Sequence, residues 1–241
     1  MDMSTLYITA TPIGNLKDIT LRALNTLNDC QLIICENSHT AYKLFDLLEL
    51  PRKEKLFIQY GDFNNSEDTI VYIIDKIKQF GKSALITEAG TPLISDPGFK
   101  IVKQIREYHS DQIMVSPVPG VSAITAFLSV SGLPTDNFTF YGFLPKTSGR
   151  RENIVKDLAI INEIQKPSFV FYESKYKLVN LLELILKYYP CATVSIGEDL
   201  TKMHETIHFG NIKDIHKQFK SKKSIKGEFV VQLILNSMIN N

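Results

Sequence analysis

Residues 5–20 read TLYITATPIGNLKDIT, and the class of fold can be worked out from them. The β-branched and aromatic run 5–11 predicts a buried strand. Pro12 and Gly14 predict a sharp turn that lets a ligand approach the backbone, and residues 20–27 predict a helix. A strand followed by a turn and a helix is the unit from which helix-covered parallel sheets are built.

The same alternation continues through the first half of the chain. Between residues 70 and 80, isoleucines and one phenylalanine recur with the spacing of a single helix face. Gly81 follows, where a helix-ending glycine is expected. Further strands are predicted at 31–35, 83–87 and 113–115, and further helices at 40–48 and 99–108. The first half therefore predicts a mostly parallel sheet covered by helices.

The segment 116–120, SPVPG, is the best candidate for a domain boundary, because two prolines in three residues do not continue a helix or an interior strand. We predict an N-terminal α/β domain at 1–116 and a C-terminal α/β domain at 117–241. In the second domain the predicted strands are 138–141, 168–172, 193–196, 205–208 and 228–235, and the predicted helices are 122–130, 152–161, 175–188 and 212–219. Its last segments are rich in strands, so the second sheet is predicted to be mixed.

The amino-acid composition limits the classes of protein to which the chain could belong. The 241 residues are 44% hydrophobic and 22% charged with a formal net charge of +1, which is ordinary globular composition and favours no class of partner. Cys30, Cys35 and Cys191 form no CxxC pair, so we expect reduced thiols, a cytoplasmic protein and no metal. We also expect no secretion signal and no membrane protein, because no apolar run approaches the ~18 residues of a membrane span.

Familiar nucleotide-binding motifs are absent from the sequence. No two glycines are separated by a single residue, which excludes the GxGxxG turn of dinucleotide-binding enzymes. The triplet Gly81-Lys82-Ser83 resembles the end of a phosphate-binding loop, but it precedes a predicted strand instead of following one. A nucleoside triphosphatase is therefore not expected.

Six other segments carry candidate chemistry. They are ATPIGNLKDIT (10–20), EAGTPLISDPG (88–98), PGVSA (119–123), FYES (171–174), DLTKMHE (199–205) and KGEFV (226–230). The second segment follows a predicted strand, at the carboxyl end where α/β sheets bind ligands, and Glu88 could accept hydrogen bonds from an amine or a ribose. The third opens a helix whose first N–H groups could hold an acceptor. A loop-anchoring role for Glu88 and a simple helix cap by Ser122 remain open.

Together and in this order, the six segments resemble the tetrapyrrole methylase superfamily of S-adenosylmethionine-dependent enzymes. With SGLPTDNFTFYGFLPKTSGRR at 131–151, they most resemble its branch that methylates the 2′-hydroxyl of a cytidine in 16S ribosomal RNA, and the resemblance covers about residues 6–233. It implies two α/β domains with the cofactor in a cleft between them, and a homodimer. By motif, the residues implied to bind S-adenosylmethionine are Pro12, Glu88, Ala89, Gly90, Ile94, Ser122, Ala123, Glu173, Leu200 and Gly227.

The sequence also departs from that branch. Where the branch usually reads AEDTR, this chain reads CENSH at 35–39 and so lacks one acid and an arginine. Glu198 stands where the branch usually has an arginine, Glu88 replaces an aspartate and Val121 replaces a common proline. A C-terminal helical extension usual in the branch is not expected here. The cofactor motifs are intact, whereas possible substrate-side residues differ. This contrast supports methyl transfer more strongly than it supports the ribosomal target.

A ribose hydroxyl is a poor nucleophile and gains from a general base. The candidate catalytic residues are Lys202 and Glu88, with His204 and Glu205 as alternatives. Lys202 would need a lowered pKa to act as a base, and it could instead position the acceptor by its charge. On an extended segment, Lys202 and His204 would share one face.

RNA needs a basic surface, and the sequence offers Lys146, Arg150 and Arg151 near Phe143, whose ring could stack on a base. A second cluster of lysines lies at 220–226. Two other functions remain open. One is methylation of a tetrapyrrole or another small molecule, and the other is a cofactor-binding protein that has lost turnover.

Overall fold

The structure is a computed structural model that describes residues 3–61 and 63–236. It divides into two compact units between Ser122 and Ala123. The first unit alternates strands and helices in the order β1 (Ser4–Thr9), α1 (Leu21–Asp29), β2 (Leu32–Cys35), α2 (Ser38–Leu47), β3 (Leu56–Gln59), α3 (Glu67–Phe80), β4 (Lys82–Ile86), α4 (Phe99–Tyr108) and β5 (Ile113–Val118), with a short 3-10 turn at Leu16–Asp18.

The first sheet is parallel throughout, which confirms the predicted mostly parallel sheet, and its strand order is β3-β2-β4-β1-β5. Alternate strand residues point to opposite faces. On one face Ile33 and Ala84 pack with Phe45 of α2. On the other face Leu32 and Leu85 pack with the apolar stripe of α3, and the stripe and the terminal Gly81 at φ 72° confirm the predicted helix. Both faces of the sheet are therefore covered.

The segment 116–118 is part of β5, which is longer than the predicted strand 113–115. Pro117 pairs in register with Ile8 of β1, and β5 is the edge strand of the sheet. A proline is tolerated on an edge strand because its missing N–H can face away from the ladder. The break between the units therefore lies after Ser122, six residues beyond the predicted position.

The second unit contains β6 (Phe138–Phe143), β7 (Ser168–Ser174), β8 (Thr193–Glu198), β9 (Thr206–Asn211) and β10 (Glu228–Ile234), with helices α5 (Ala123–Leu128), α6 (Ser148–Gln165), α7 (Leu178–Tyr188) and α8 (Ile212–Lys220). Its sheet has the order β6-β7-β10-β8-β9. The β6–β7 pair is parallel and the other pairs are antiparallel, which confirms the predicted mixed sheet. Its core includes Phe169 and Phe171 of β7, Leu181 and Ile185 of α7, and Phe219 of α8.

Candidate functional site

Three loops meet at the carboxyl end of the first sheet. Because β1 and β4 are neighbours, the loops that follow them emerge side by side. Thr11 and Gly90 exchange two backbone hydrogen bonds, each 2.9 Å long, and Gly90 has a φ of 83°. The Thr11 hydroxyl donates to the Thr87 carbonyl at 3.3 Å. The two predicted ligand loops therefore form one connected structure.

The third loop, after β5, joins the other two. The Thr91 hydroxyl donates to the Val121 carbonyl at 2.9 Å. Gly120 lies so close to β1 that a Cβ atom at this position would come within 2.9 Å of the Ala10 Cβ. Only glycine fits such an approach without displacing a neighbour, which accounts for the glycine in PGVSA.

The long loop after β4 holds its backbone in sparsely populated conformations. Leu93 and Ser95 have φ values of 72° and 66°, and each such residue costs about 1–3 kcal/mol. Ile94 between them is exposed, so the loop presents an apolar side chain. Strain of this kind is concentrated at ligand-binding sites, which favours a binding role for this loop.

Two carboxylates lie at the tip of β4. Glu88 is exposed, and its Oε1 accepts a hydrogen bond from the Thr40 hydroxyl of α2 at 3.3 Å. Asp96, which sequence reasoning missed, is half-buried. Burial raises its pKa to about 6, the nearby Thr87 side chain opposes this rise, and the charge of Glu88 adds to it. A carboxyl group with this pKa can accept or release a proton near neutral pH.

The remaining residues predicted to bind the cofactor in this unit vary in burial. Ala89 is exposed, Ser122 is half-buried, and Pro12 and Gly90 are buried. Ala123, the first residue of the second unit, is half-buried. Buried positions can contribute backbone groups and shape, whereas Ala89 can contact a ligand directly. The site assignment of all these residues stays a prediction.

A small pocket lies beside Glu88, between the end of β2 and the start of α2. It is lined by Cys35, Glu36, Asn37, Thr40, Ala41, Leu44, Ile86, Thr87 and Glu88. The Asn37 side chain accepts hydrogen bonds from the His39 and Thr40 amides and so caps α2. Burial raises the pKa of the Cys35 thiol to about 12, so this cysteine is neutral at physiological pH. The CENSH segment therefore still caps α2, and its cysteine does not provide a thiolate.

Lys202 of the second unit is held by two acids, which favours electrostatic positioning over the general-base alternative for this residue. Its Nζ lies 2.9 Å from Oδ1 of Asp199 and 2.7 Å from Oε2 of Glu228. Partial burial on its own would lower the Lys202 pKa, but the hydrogen bonds to the two carboxylates outweigh it and the pKa is raised. Lys202 is therefore a fixed cation.

The segment that carries Lys202 is a turn and not an extended strand. Asp199 and Thr201 have φ values of 51° and 64°, so the expected shared face of Lys202 and His204 does not form. Gly227 has a φ of 100°, and a Cβ atom there would lie 2.7 Å from Oδ2 of Asp199. Leu200 is buried. The glycine of KGEF is thus required by the approach of the DLTK turn.

Glu198, where the sequence resemblance would place an arginine, lies beside a histidine and a lysine. His208 Nε2 lies 2.8 Å from Oε2 of Glu198, and Lys222 Nζ lies 3.1 Å from the same oxygen. Lys220 of the second predicted RNA cluster pairs with Glu183 at 3.1 Å, so two lysines of that cluster, Lys220 and Lys222, pair within the fold.

Arg151 is buried, which corrects its assignment to an RNA-binding surface. Its side chain is 2% exposed and forms an ion pair with Glu173, which is 3% exposed. The other Glu173 oxygen accepts a hydrogen bond from the Ser174 amide at 2.8 Å. Both carboxylate oxygens of Glu173 thus have partners within the unit, so its predicted role with the cofactor would fall to its backbone. Lys146 and Arg150 are exposed, as an RNA surface requires.

Comparisons with known proteins identify the family. A model of the family described as Tetrapyrrole (Corrin/Porphyrin) Methylases matches residues 5–216. The chain belongs to this family. It is 36% identical to the ribosomal RNA small subunit methyltransferase I of Rickettsia prowazekii, over 99% of this chain and 81% of that protein. It is 38% identical to the protein of the same name from a Hydrogenobaculum species, over 95% of this chain and 94% of that one.

Solved structures support the same fold for this tetrapyrrole methylase family member. The methyltransferase CobJ matches with a TM-score of 0.66 over 96% of this chain and 94% of that chain, at 15% sequence identity. Within residues 3–61 and 63–236, no helix is long and apolar enough to span a membrane. Over the same ranges, no group of three histidine, cysteine, aspartate or glutamate side chains could hold a metal ion.

Proposed function

We propose that this chain is an S-adenosylmethionine-dependent methyltransferase that acts on 16S ribosomal RNA in the small ribosomal subunit. The observation that carries the proposal is the group of three interlocked loops at the carboxyl end of the first sheet. It coincides with ATPIGNL, EAGTPLISDPG and PGVSA in a chain that belongs to a family of methylases.

The residues of these loops fit the chemistry of the proposed cofactor. S-adenosylmethionine supplies a methyl group on a positively charged sulfur, together with an amine, a carboxylate and a ribose. Glu88 and Asp96 offer carboxylate oxygens to hydroxyl or ammonium donors. Ala89 and Ile94 offer exposed apolar surface beside them. The close packing at Gly90 and Gly120 supports a backbone-lined site of this kind.

Two further steps of the proposal concern the reacting groups. Methyl transfer needs an aligned acceptor oxygen above all, and alignment alone can supply several kcal/mol of barrier reduction. Asp96 and Glu88 are the carboxylates we assign to proton acceptance, and the pKa of about 6 suits Asp96 to that role. Lys202, held charged by its two acids, is assigned to electrostatic positioning of the RNA and not to proton transfer.

The substrate assignment is supported by the relatives named ribosomal RNA small subunit methyltransferase I, which match 95–99% of this chain. The 2′-oxygen of a cytidine is the acceptor that the sequence resemblance implies. An enzyme acting on ribosomal subunits would work in the cytoplasm. The homodimer implied by the same resemblance can be tested by light scattering.

The proposal is tested by transfer of a labelled methyl group. The full chain is incubated with labelled S-adenosylmethionine and one of three acceptors in parallel: small subunits whose 16S RNA lacks 2′-O-methylated cytidine, naked 16S RNA, or a tetrapyrrole. We expect label in the RNA of the subunits. Label in the tetrapyrrole alone would replace the substrate assignment. Cofactor binding with no transfer to any acceptor would favour a protein that has lost turnover.

A further inference from the structure

The buried Arg151 connects two surface segments of the second unit. Its Nη2 donates to the Lys177 carbonyl at 3.3 Å in addition to pairing with Glu173. Lys177 Nζ in turn donates to the Lys146 carbonyl at 2.8 Å. The turn at 174–177, after β7, is thereby fixed against the segment that leads into α6.

This turn presents an aromatic ring and a cation to solvent. Tyr176 is 84% exposed, and Lys175 Nζ lies 5.0 Å from the centre of its ring. An aromatic side chain exposed to this degree on a fixed turn is available to bind a partner.

A second aromatic ring lies at the end of β6. The pairing of β6 with β7 is irregular between Phe140 and Phe143, and Gly142 has a φ of 62°. Irregularities of this kind re-aim side chains. Phe143 is 60% exposed, with its ring centre 5.4 Å from that of Tyr172 on β7. The strand that carries Tyr172 leads directly into the 174–177 turn.

We call the exposed set Phe143, Lys146, Arg150, Lys175 and Tyr176 the aromatic–basic surface. Within the part of the chain that the structure describes, Lys146, Arg150 and Lys175 form no ion pair, so their charges are available to a partner. Two exposed rings among three available cations complement a polyanion with exposed planar bases. Duplex RNA hides the faces of its bases, whereas unpaired nucleotides offer them together with their phosphates.

We propose that the aromatic–basic surface binds unpaired nucleotides of RNA, with Tyr176 as the ring on which a base stacks and Lys175 as a phosphate contact. The inference deepens the proposed function, on which it rests, because it names residues of a turn that sequence reasoning did not assign to RNA. Arg151 acts here as a positioning residue that fixes this turn.

The test measures binding of the full chain to a fluorescein-labelled single-stranded RNA of about 12 nucleotides by anisotropy, with a duplex of equal length in parallel. Tyr176→Ala is expected to weaken single-strand binding by about 5- to 150-fold, the range of one lost base stack. Tyr176→Phe keeps the ring and is expected to bind within about twofold of wild type. Lys175→Ala is expected to reduce the slope of log affinity against log salt by about 0.7.

Tyr108→Ala and Lys100→Ala are matched controls, because both are exposed on α4 of the first unit. They are expected to bind RNA as wild type does. The proposal is overturned if Tyr176→Ala binds single strands as tightly as wild type, if Tyr108→Ala loses as much affinity, or if the loss on duplex RNA is equal.

The same variants separate this proposal from the proposed function. If wild type methylates small subunits and Tyr176→Ala does so with unchanged KM, the methyltransferase assignment stands and the surface proposal falls. If wild type methylates no subunit but Tyr176→Ala still loses single-strand binding, the surface proposal stands and the ribosomal assignment falls.

Discussion

Removal of one partner of the Arg151–Glu173 pair is expected to destabilise the second unit strongly. Arg151→Met would leave the Glu173 carboxylate buried without its cation, which typically costs about 3–5 kcal/mol. It would also remove the donor to the Lys177 carbonyl. Within the described ranges, Nε and Nη1 of Arg151 have no hydrogen-bond partner, so the intact pair is itself incompletely satisfied. The cost of breaking it should therefore exceed its net contribution to stability.

A double-mutant cycle separates these quantities. Glu173→Gln removes the charge and keeps an acceptor for the Ser174 amide. We expect each single variant to lose about 3–5 kcal/mol, and the double variant to lose at least about 2 kcal/mol less than the sum of the two. Hydrogen exchange of slowly exchanging amides in β7 and β10 measures the stability of the second unit separately from the first.

Arg150→Met is the matched control, because Arg150 is the exposed neighbour of Arg151 on α6. Its loss is expected to stay within about 0.5 kcal/mol. A cost below about 1 kcal/mol for Arg151→Met, or additivity of the two single variants, would refute the assignment of Arg151 to an internal ion pair.

Three other predictions concern the loops and Lys202. Gly120→Ala is expected to cost about 1–3 kcal/mol in thermal unfolding and to weaken S-adenosylmethionine binding in calorimetry, because the new Cβ would meet the Ala10 Cβ at 2.9 Å. Gly149→Ala is the control, since a Cβ there would have nothing within 4 Å, and it should change neither stability nor binding. Equal effects of the two substitutions would contradict the packing argument. Burial raises the Asp96 pKa from 3.8 to about 6. Between these two pH values the folded chain therefore binds more protons than the unfolded chain, and the folded state loses stability as the pH rises. The Asp96→Asn variant lacks this loss. Urea titrations should show that the variant is about 1–3 kcal/mol more stable than wild type above about pH 6, and that the difference in stability shrinks toward about pH 4. A difference that stays constant with pH would show that Asp96 does not titrate in this way. Lys202→Arg keeps the positive charge and is expected to retain at least about half of the methyl-transfer rate, whereas abolished turnover with cofactor binding intact would restore Lys202 as a proton acceptor.

The regular part of the fold could be predicted because its signals are local. The isoleucine stripe of α3 and the glycine that ends it determine one helix without reference to the rest of the chain. The short strand β3 was missed, because its four residues are only partly buried at the edge of the sheet and give no clear alternation. The same dependence on position in the sheet explains Pro117, which only an edge strand such as β5 accommodates.

The site was harder to predict, because its chemistry depends on partners distant in sequence. The burial of Arg151 follows from Glu173, 22 residues away, and the charge of Lys202 is fixed by Glu228, 26 residues away. Neither pairing leaves a local signal. Asp96 did offer one, since it lies in the constrained SDPG stretch after β4, the strand whose tip carries Glu88. The contact between Thr11 and Gly90 required the strand order of the sheet, which places β1 beside β4.

The most direct test of the account is to locate the methyl group by mass spectrometry. Small subunits whose 16S RNA lacks 2′-O-methylated cytidine are treated with the full chain and S-adenosylmethionine, and the RNA is digested to nucleosides and fragments. The account predicts a methyl group on the 2′-oxygen of one cytidine. A methyl group on a base, or unmodified RNA from a chain that binds the cofactor, would contradict it.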